Sequence, residues 1–274
     1  MKLIVCDMSG IVSIKGVNNS ELLDVFPNLK NFQYTFCTGK GYMGGYDTIK
    51  DYDIPLPLIV ENGSVLVSKD GKVIHAESID NDSVCELIDE IFEMKYEFIA
   101  FVNLITHKYK FLRGKKDLSE ELSRPYFFSE ETFYDKEQYK KSIKDHDIVR
   151  IITRGLEVKD SIKSANKFHV VVSEQEYHSF CKPGKNKKSG IIKLVEKYGF
   201  NLEDVIIIGN DSNDIDMFGL DCGLKIATGN NNTPKELLEL ADVFVKLDEL
   251  PNFLVEIDKN PNNMLKYRGS KGEF

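Results

Sequence analysis

No run in this 274-residue chain approaches the roughly 18 consecutive apolar residues that a membrane-spanning helix requires. The apolar stretch at the N-terminus stops at Asp7, too soon for the hydrophobic part of a secretory signal. The chain is therefore expected to stay in the cytoplasm. Cysteines are few and odd in number: Cys6, Cys37, Cys85, Cys181 and Cys222, widely spaced and without a Cys-x-x-Cys pair. That excludes a disulfide framework and a thiolate zinc site, and leaves small buried apolar residues in a reducing compartment. The five histidines (His75, His107, His146, His169, His178) lack metal-ligand spacing and receive no catalytic role. Positive charge is also short, with 36 Lys and Arg against 44 Asp and Glu and a formal net charge of −8. A protein whose work is gripping nucleic acid or an anionic membrane needs a positive surface, so both partners are excluded and small soluble ligands become the expectation. Internal repeats and low-complexity segments are absent.

What is present is a globular composition, 42% hydrophobic and 29% charged, long enough for one large domain or two modest ones. Lys2 to Cys6 is a short apolar run ending at Asp7-Met8-Ser9-Gly10, a buried strand followed by a turn. A helix capped by Ser20 and stopped near Pro27 leads to a second strand, Phe32 to Cys37, which closes at Thr38-Gly39-Lys40. A third buried run, Leu58 to Val60, precedes Glu61-Asn62-Gly63. Alternating helices and short apolar strands predict a parallel α/β sheet.

The rhythm changes after that. Ser64 to Ser68 and Lys72 to His75 flank Lys69-Asp70-Gly71, a hairpin signal. An amphipathic helix from about Asp80 and strand-like runs at Phe98 to Asn103, Tyr109 to Leu112, Ile148 to Thr153 and Phe168 to Val172 surround a charged stretch, Arg113 to Lys144. The α/β rhythm returns with a helix from Ser189 to Tyr198, strands at Val205 to Ile208, Leu224 to Ala227 and Val243 to Val245, and helices at Asp214 to Phe218 and Pro234 to Leu240. The expected fold is a parallel α/β sheet core formed by residues 1–76 and 184–274, with an inserted α+β domain at 77–183. The last residues, Asn260 to Phe274, are polar and expected to fray.

Four clusters follow strands or open helices, where an open α/β sheet gathers its ligand site. Asp7 with Ser9-Gly10 offers a carboxylate at a strand end, suited to a nucleophile or a Mg²⁺ ligand, although an isolated Asp-x-Ser-Gly equally caps a turn. Thr38-Gly39-Lys40 presents a hydroxyl and backbone N–H groups, a phosphate grip. Lys188 stands directly before a helix whose apolar face is read as Ile191, Ile192, Val195 and Tyr198. A cation there can neutralise a phosphoryl group and a carboxylate together, and Lys182, Lys185 and Lys187 compete for the role. The densest cluster is Gly209-Asn210-Asp211-Ser212-Asn213-Asp214, more oxygen ligands than helix capping alone requires.

In this order and spacing, these clusters, together with Glu61-Asn62-Gly63 and Ala227-Thr228-Gly229-Asn230, resemble the Cof-type branch of the haloacid dehalogenase superfamily, which includes many sugar phosphatases. The resemblance covers roughly the first 75 and last 90 residues. It implies a Rossmann-like core with a type II cap inserted after the third strand, Mg²⁺ as cofactor and a small phosphorylated metabolite as ligand; a monomer or weak homo-oligomer is expected. It implies that Asp7 attacks phosphorus to give an aspartyl-phosphate, that Asp7 and the Ser9 backbone carbonyl bind Mg²⁺, and that Thr38, Gly39, Lys188 and Asn213 hold the phosphoryl group. Asn210 or Asp211, with Asp214, would complete or support the metal shell.

Two departures stand out. The family usually places an aspartate two residues after the nucleophile, as an acid and base worth roughly 10²–10⁴ in rate; here that residue is Ser9. Asn210 occupies the place of the usual metal-binding aspartate, with Asp211 adjacent. The leading reading is a Mg²⁺-dependent phosphatase; the alternative is a catalytically weak phosphate-binding or regulatory protein, and phosphoglucomutase-like transfer fits poorly. Arg150, Arg154, Tyr177, His178 and Lys182 are candidate substrate contacts from the inserted domain.

Overall fold

A computed structural model describes residues 1–94, 96–114, 129–144, 146–155, 162, 166–172, 177–229, 233–269 and 272–273. The expected Asn230 and residues 115–128 of the charged stretch lie outside the described residues. In chain order the strands are β1 (Lys2–Asp7), β2 (Ser13–Ile14), β3 (Val17–Asn18), β4 (Phe32–Cys37), β5 (Leu58–Val60), β6 (Val65–Val67), β7 (Val73–Ala76), β8 (Phe98–Asn103), β9 (Lys108–Arg113), β10 (Ser129–Phe133), β11 (Arg150–Arg154), β12 (His169–Val172), β13 (Tyr177–Cys181), β14 (Val205–Gly209), β15 (Leu224–Gly229), β16 (Val243–Lys246) and β17 (Gly272–Glu273).

Nine of them form one sheet in the order β17-β16-β15-β14-β1-β4-β5-β6-β7. From β17 to β5 every pairing is parallel. The hairpin β6–β7 then extends the sheet antiparallel. Parallel strands must be covered on both faces, which is why β1 and β14 read as unbroken apolar runs. Their alternating side chains feed two cores. Ile4 and Cys6 point to one, with Leu22, Leu23, Phe253, Leu254 and Ile257 of helices Ser20–Val25 and Leu250–Lys259. Leu3 and Val5 point to the other, with Ile191, Leu194, Phe218 and Leu237.

A second, six-stranded sheet, β10-β9-β8-β11-β13-β12, is built from strands between residues 98 and 181. Helix Asn81–Phe92 buries Val84, Leu87, Ile88 and Ile91, one face at helical spacing, against Ile99, Phe101, Leu112, Ile151 and Phe180. The opposite face of this sheet, Phe98, Ala100, Val102, Tyr109, Phe111 and Ile152, is continuous with the core of the large sheet. Arg150 and Tyr109 therefore project toward the large sheet's loops, in phase with Ile152 and Phe111.

Beyond the expected elements, residues 13–18 close as a hairpin, β2–β3, whose turn residues Lys15 and Gly16 both have positive φ. The charged stretch holds a helix, Lys136–Ile143, which buries only Tyr139 and Ile143; two apolar residues one turn apart anchor it. The C-terminal segment does not simply fray, since Gly272 and Glu273 pair with Val243 and Phe244 as an edge strand.

Candidate active site

The carboxyl ends of β1, β4, β14 and β15 lie side by side at one edge of the sheet, where a parallel sheet opens a crevice. Asp7 ends β1 in register with Cys37 of β4 and is 1% exposed. Thr38 follows β4 and is buried; Gly209 ends β14 and leads into Asn210.

The ammonium that meets Asp7 belongs to Lys187. Its Nζ lies 2.6 Å from Asp7 Oδ1 and 2.6 Å from Asp214 Oδ1, and donates more weakly to Asn213 Oδ1 at 3.4 Å. Lys187 is 1% exposed and Asp214 fully buried. Burial and the charge of Asp214 push the Asp7 carboxyl up from 3.8 to about 7, although Lys187 pulls the other way. Burial also works against the Lys187 charge, but Asp214 and Asp7 outweigh it and hold the ammonium above its ordinary value. Two carboxylates around one ammonium leave an excess of negative charge when both are ionised.

The expected Lys188 is corrected by this geometry. Its Nζ donates to the Gly219 carbonyl at 2.9 Å, in an exposed position. The helix begins at Lys187, two residues earlier than expected, because Asn186 caps it: Asn186 Oδ1 accepts from Ser189 N, and Ser189 Oγ accepts from Asn186 N. Its buried face is Lys187, Gly190, Ile191, Leu194 and Val195, spaced i, i+3, i+4, i+7, i+8. Tyr198, taken as apolar face, is 41% exposed. Lys188 is one residue, about 100° of helix, away from that face.

The helix can bring Lys187 this close because two glycines meet beneath it. A Cβ on Gly63, whose φ is +92, would lie 2.0 Å from the Asn186 carbonyl oxygen, and one on Gly190 would lie 2.8 Å from Gly63 Cα. Gly63→Ala is expected to cost roughly 2–5 kcal/mol through left-handed backbone and overpacking together. Gly184, with φ +72 and open space around it, is the control, since its alanine variant meets only the backbone term. Urea denaturation of both checks this; equal losses would show that the close approach is not needed.

The acidic cluster divides its labour. Asp214 Oδ2 accepts from the backbone N–H of Asn210 at 2.9 Å and Asp211 at 3.1 Å, so both of its oxygens are engaged. Asp211 Oδ1 accepts from Ser212 N at 2.6 Å, the capping role. Asn210 instead packs over the turn after Asp7: a Cβ on Gly10, whose φ is +82, would lie 2.4 Å from Asn210 Nδ2. Asp7 Oδ2 and Asn210 Oδ1 are buried without a hydrogen-bond partner among the described residues. Oxygen atoms of that kind suit a hard divalent cation. Among the described residues no three His, Cys, Asp or Glu gather as a metal cluster, so such a cation would take Asp7 Oδ2 together with amide and backbone oxygens.

Thr38 Oγ1 accepts from Lys40 N at 3.1 Å, which closes the turn that contains Gly39. Burial lowers the Lys40 ammonium from its ordinary value while Asp7 opposes the change, so a second cation lies in the field of the site; its place in the Thr38-Gly39-Lys40 motif was the available signal. Ser9 pairs with Ser13 in an isolated bridge. The thiols of Cys6 and Cys37 are buried, which raises both above their ordinary value and keeps them neutral. Of the expected contacts from the second sheet, Arg150 lies against Glu61 and Gly39. Arg154 pairs with Glu97 and covers the Tyr177 ring. His178 is buried on β13, and Lys182 pairs with Glu77.

A parallel sheet with an acid, ammonium and acid buried at its strand ends, and a second mixed sheet packed over it, defines a capped α/β fold of the hydrolase type. The chain belongs to the haloacid dehalogenase-like hydrolases, a family that matches residues 14–249. The matched span begins after Asp7, whose assignment to the site rests on the geometry above. A subclass IIB sugar phosphatase of this superfamily superposes with a TM-score of 0.75 over 94% of this chain and 98% of its own, at 15% identity. A haloacid dehalogenase-like hydrolase from B. subtilis does so with 0.76 over 95% and 99%, at 17% identity, and a superfamily phosphatase from Bacteroides thetaiotaomicron with 0.76 over 94% of both chains, at 14%. Likeness at these identities is likeness of fold. No curated protein matches the sequence. No described helix is long and apolar enough to cross a membrane.

Proposed function

We propose that the protein is a Mg²⁺-dependent phosphatase of small organic phosphate monoesters, sugar phosphates foremost, that works through an aspartyl-phosphate on Asp7. The observation that carries this reading is the buried Asp7–Lys187–Asp214 arrangement, with Asp7 Oδ2 and Asn210 Oδ1 beside it unpaired among the described residues. Asp7 attacks phosphorus in line, the P–O bond to the leaving alcohol breaks, and water then hydrolyses the acyl-phosphate. Thr38, Gly39 and Asn213 receive the phosphoryl oxygens. Lys187 has three donors, and the long one to Asn213 is the one a phosphoryl oxygen takes over. Asp7, the Ser9 carbonyl and Asn210 would hold Mg²⁺, with Asp214 and Asp211 fixing the backbone around it; when bound, the ion neutralises phosphoryl charge. Five free cysteines fit a reducing, cytoplasmic setting.

Phosphate release from a panel of small esters, with and without Mg²⁺, tests the proposal. Binding of sugar phosphates without turnover of any ester would replace it with the regulatory reading, which Ser9 favours because a hydroxyl is a poor acid and base. Ser9→Asp is expected to raise turnover by roughly 10²-fold. An unchanged rate would show that the missing carboxylate is not what limits the enzyme.

A further inference from the structure

Arg150 belongs to the six-stranded sheet, yet its guanidinium is buried in the loops of the other one, 5% exposed. Nη2 lies 2.7 Å from Glu61 Oε2 and donates to the Tyr109 hydroxyl at 3.2 Å. Nη1 donates to the carbonyl of Gly39, the middle residue of the turn between Thr38 and Lys40. The same turn is held from below: Glu61 N donates to the Lys40 carbonyl at 2.9 Å and Asn62 N to the Thr38 carbonyl at 3.2 Å. Two residues of the large sheet's loops, Gly39 and Glu61, thus meet one side chain of the small sheet.

None of this is the cheapest way to join two sheets. A buried ion pair adds little stability over apolar residues of the same volume. Glu61 and Asn62 both sit at left-handed φ, 52° and 54°, a strain that persists where surroundings over-determine it and that clusters at functional sites. Space has been left for the contact as well. A Cβ on Gly41 would lie 2.5 Å from Glu61 Oε1 and 2.6 Å from the Tyr109 hydroxyl. Gly41 has φ −73, which any residue adopts, so room for the incoming side chains is what its lack of a Cβ provides. Both terminal nitrogens of Arg150 are engaged by protein, which separates its role from direct recognition of a substrate.

We propose that Arg150 is a positioning residue: docked on Glu61 and Tyr109, it fixes the Gly39 carbonyl and so couples seating of the inserted sheet to the shape of the Thr38–Lys40 turn. That the turn binds phosphate rests on the phosphatase reading; that Arg150 orders it does not. A side chain that sets the turn only when the sheets are together makes the competent site depend on closure.

The test compares Arg150→Met, Glu61→Leu with Arg150→Met, and Gly41→Ala with the unaltered chain, by thermal unfolding, hydrogen exchange of peptides covering Thr38 to Gly41, and turnover of p-nitrophenyl phosphate with Mg²⁺. Arg150→Met is expected to lower the unfolding midpoint by roughly 5–15 °C, because Glu61 is left buried and unpaired. It should also speed exchange in the turn and cut turnover by roughly 10–10²-fold. In the double variant the buried charge is gone, so the midpoint returns to within a few degrees, while exchange stays fast and turnover stays low. Gly41→Ala pushes Tyr109 and Glu61 away from the turn and should reproduce the fast exchange with both charges intact. If turnover and exchange recovered together with the midpoint in the double variant, Arg150 would be a structural strut and the proposal overturned. Unaltered exchange in Arg150→Met overturns it equally. Should the unaltered protein fail to turn over p-nitrophenyl phosphate or any other ester, the phosphatase reading falls, and the exchange data alone decide the role of Arg150.

Discussion

Asp7→Asn abolishes phosphate release from every ester the unaltered protein turns over, a loss on the order of 10⁴-fold or more, because an amide cannot stand in for the attacking carboxylate. The substitution is nearly isosteric and keeps an oxygen that can accept from Lys187, so the variant folds. Its stability carries a second signature. In the metal-free protein, burial and Asp214 raise the Asp7 carboxyl from 3.8 to about 7. A folded-state value above the unfolded one means that the neutral acid is favoured in the fold. Its contribution to stability is full below about pH 4 and is lost as pH rises through about 7. The amide of the variant cannot ionise. Denaturation from pH 4 to 8 without Mg²⁺ should therefore show the unaltered protein losing stability relative to Asp7→Asn, and Mg²⁺ at pH 8 should restore the former more than the latter. Turnover by Asp7→Asn at more than a hundredth of the original rate, measured on freshly expressed protein free of deamidation, would refute the nucleophile. Parallel stability profiles would refute the buried charge.

Much of this site is legible in the chain because parallel strands place their functional groups directly after apolar runs. Leu3 to Cys6 leads into Asp7, Phe32 to Cys37 into Thr38, and Ile206 to Ile208 into Gly209-Asn210, and the sheet brings these ends together in register. The change of rhythm after Gly63 falls where the large sheet turns antiparallel at β6 and β7, and the second sheet follows only from β8. Legibility stops where a side chain depends on helix phase or on another sheet. Lys187 and Lys188 differ in sequence only by position, and the phase is set by Asn186 and Ser189 closing a reciprocal cap; the spacing of Lys187, Gly190, Ile191 and Leu194 was the signal available. Asn210 and Asp211 are equally good ligands on paper, and only folding turns one toward Gly10 and the other toward Ser212. Glu61 and Arg150 lie 89 residues apart in the chain, and no local pattern connects a left-handed glutamate to an arginine on a different sheet.

Lys187→Met is the substitution expected to do the most damage to the fold and the site together. Lys187 is the ammonium shared at 2.6 Å by Asp7 and Asp214, and all three side chains are within 1% of complete burial. Removing it strands two carboxylates in a place water does not reach, a loss of roughly 3–5 kcal/mol. Methionine fills the volume, so the loss reports charge and not a cavity. Turnover should vanish as well, since the donor that would meet the phosphoryl oxygens is gone. Lys188→Ala, one residue on, removes an exposed ammonium whose hydrogen bond goes to the Gly219 carbonyl, and should change stability by less than about 1 kcal/mol. Combining Lys187→Met with Asp214→Asn separates the two functions of the ammonium. The second substitution removes one of the stranded charges, so much of the stability returns, whereas the phosphoryl group still lacks its cation and turnover does not. Lys188→Ala proving as harmful as Lys187→Met, or Lys187→Met unfolding at the unaltered urea concentration, would mean that the ammonium beside Asp7 is not the one identified here.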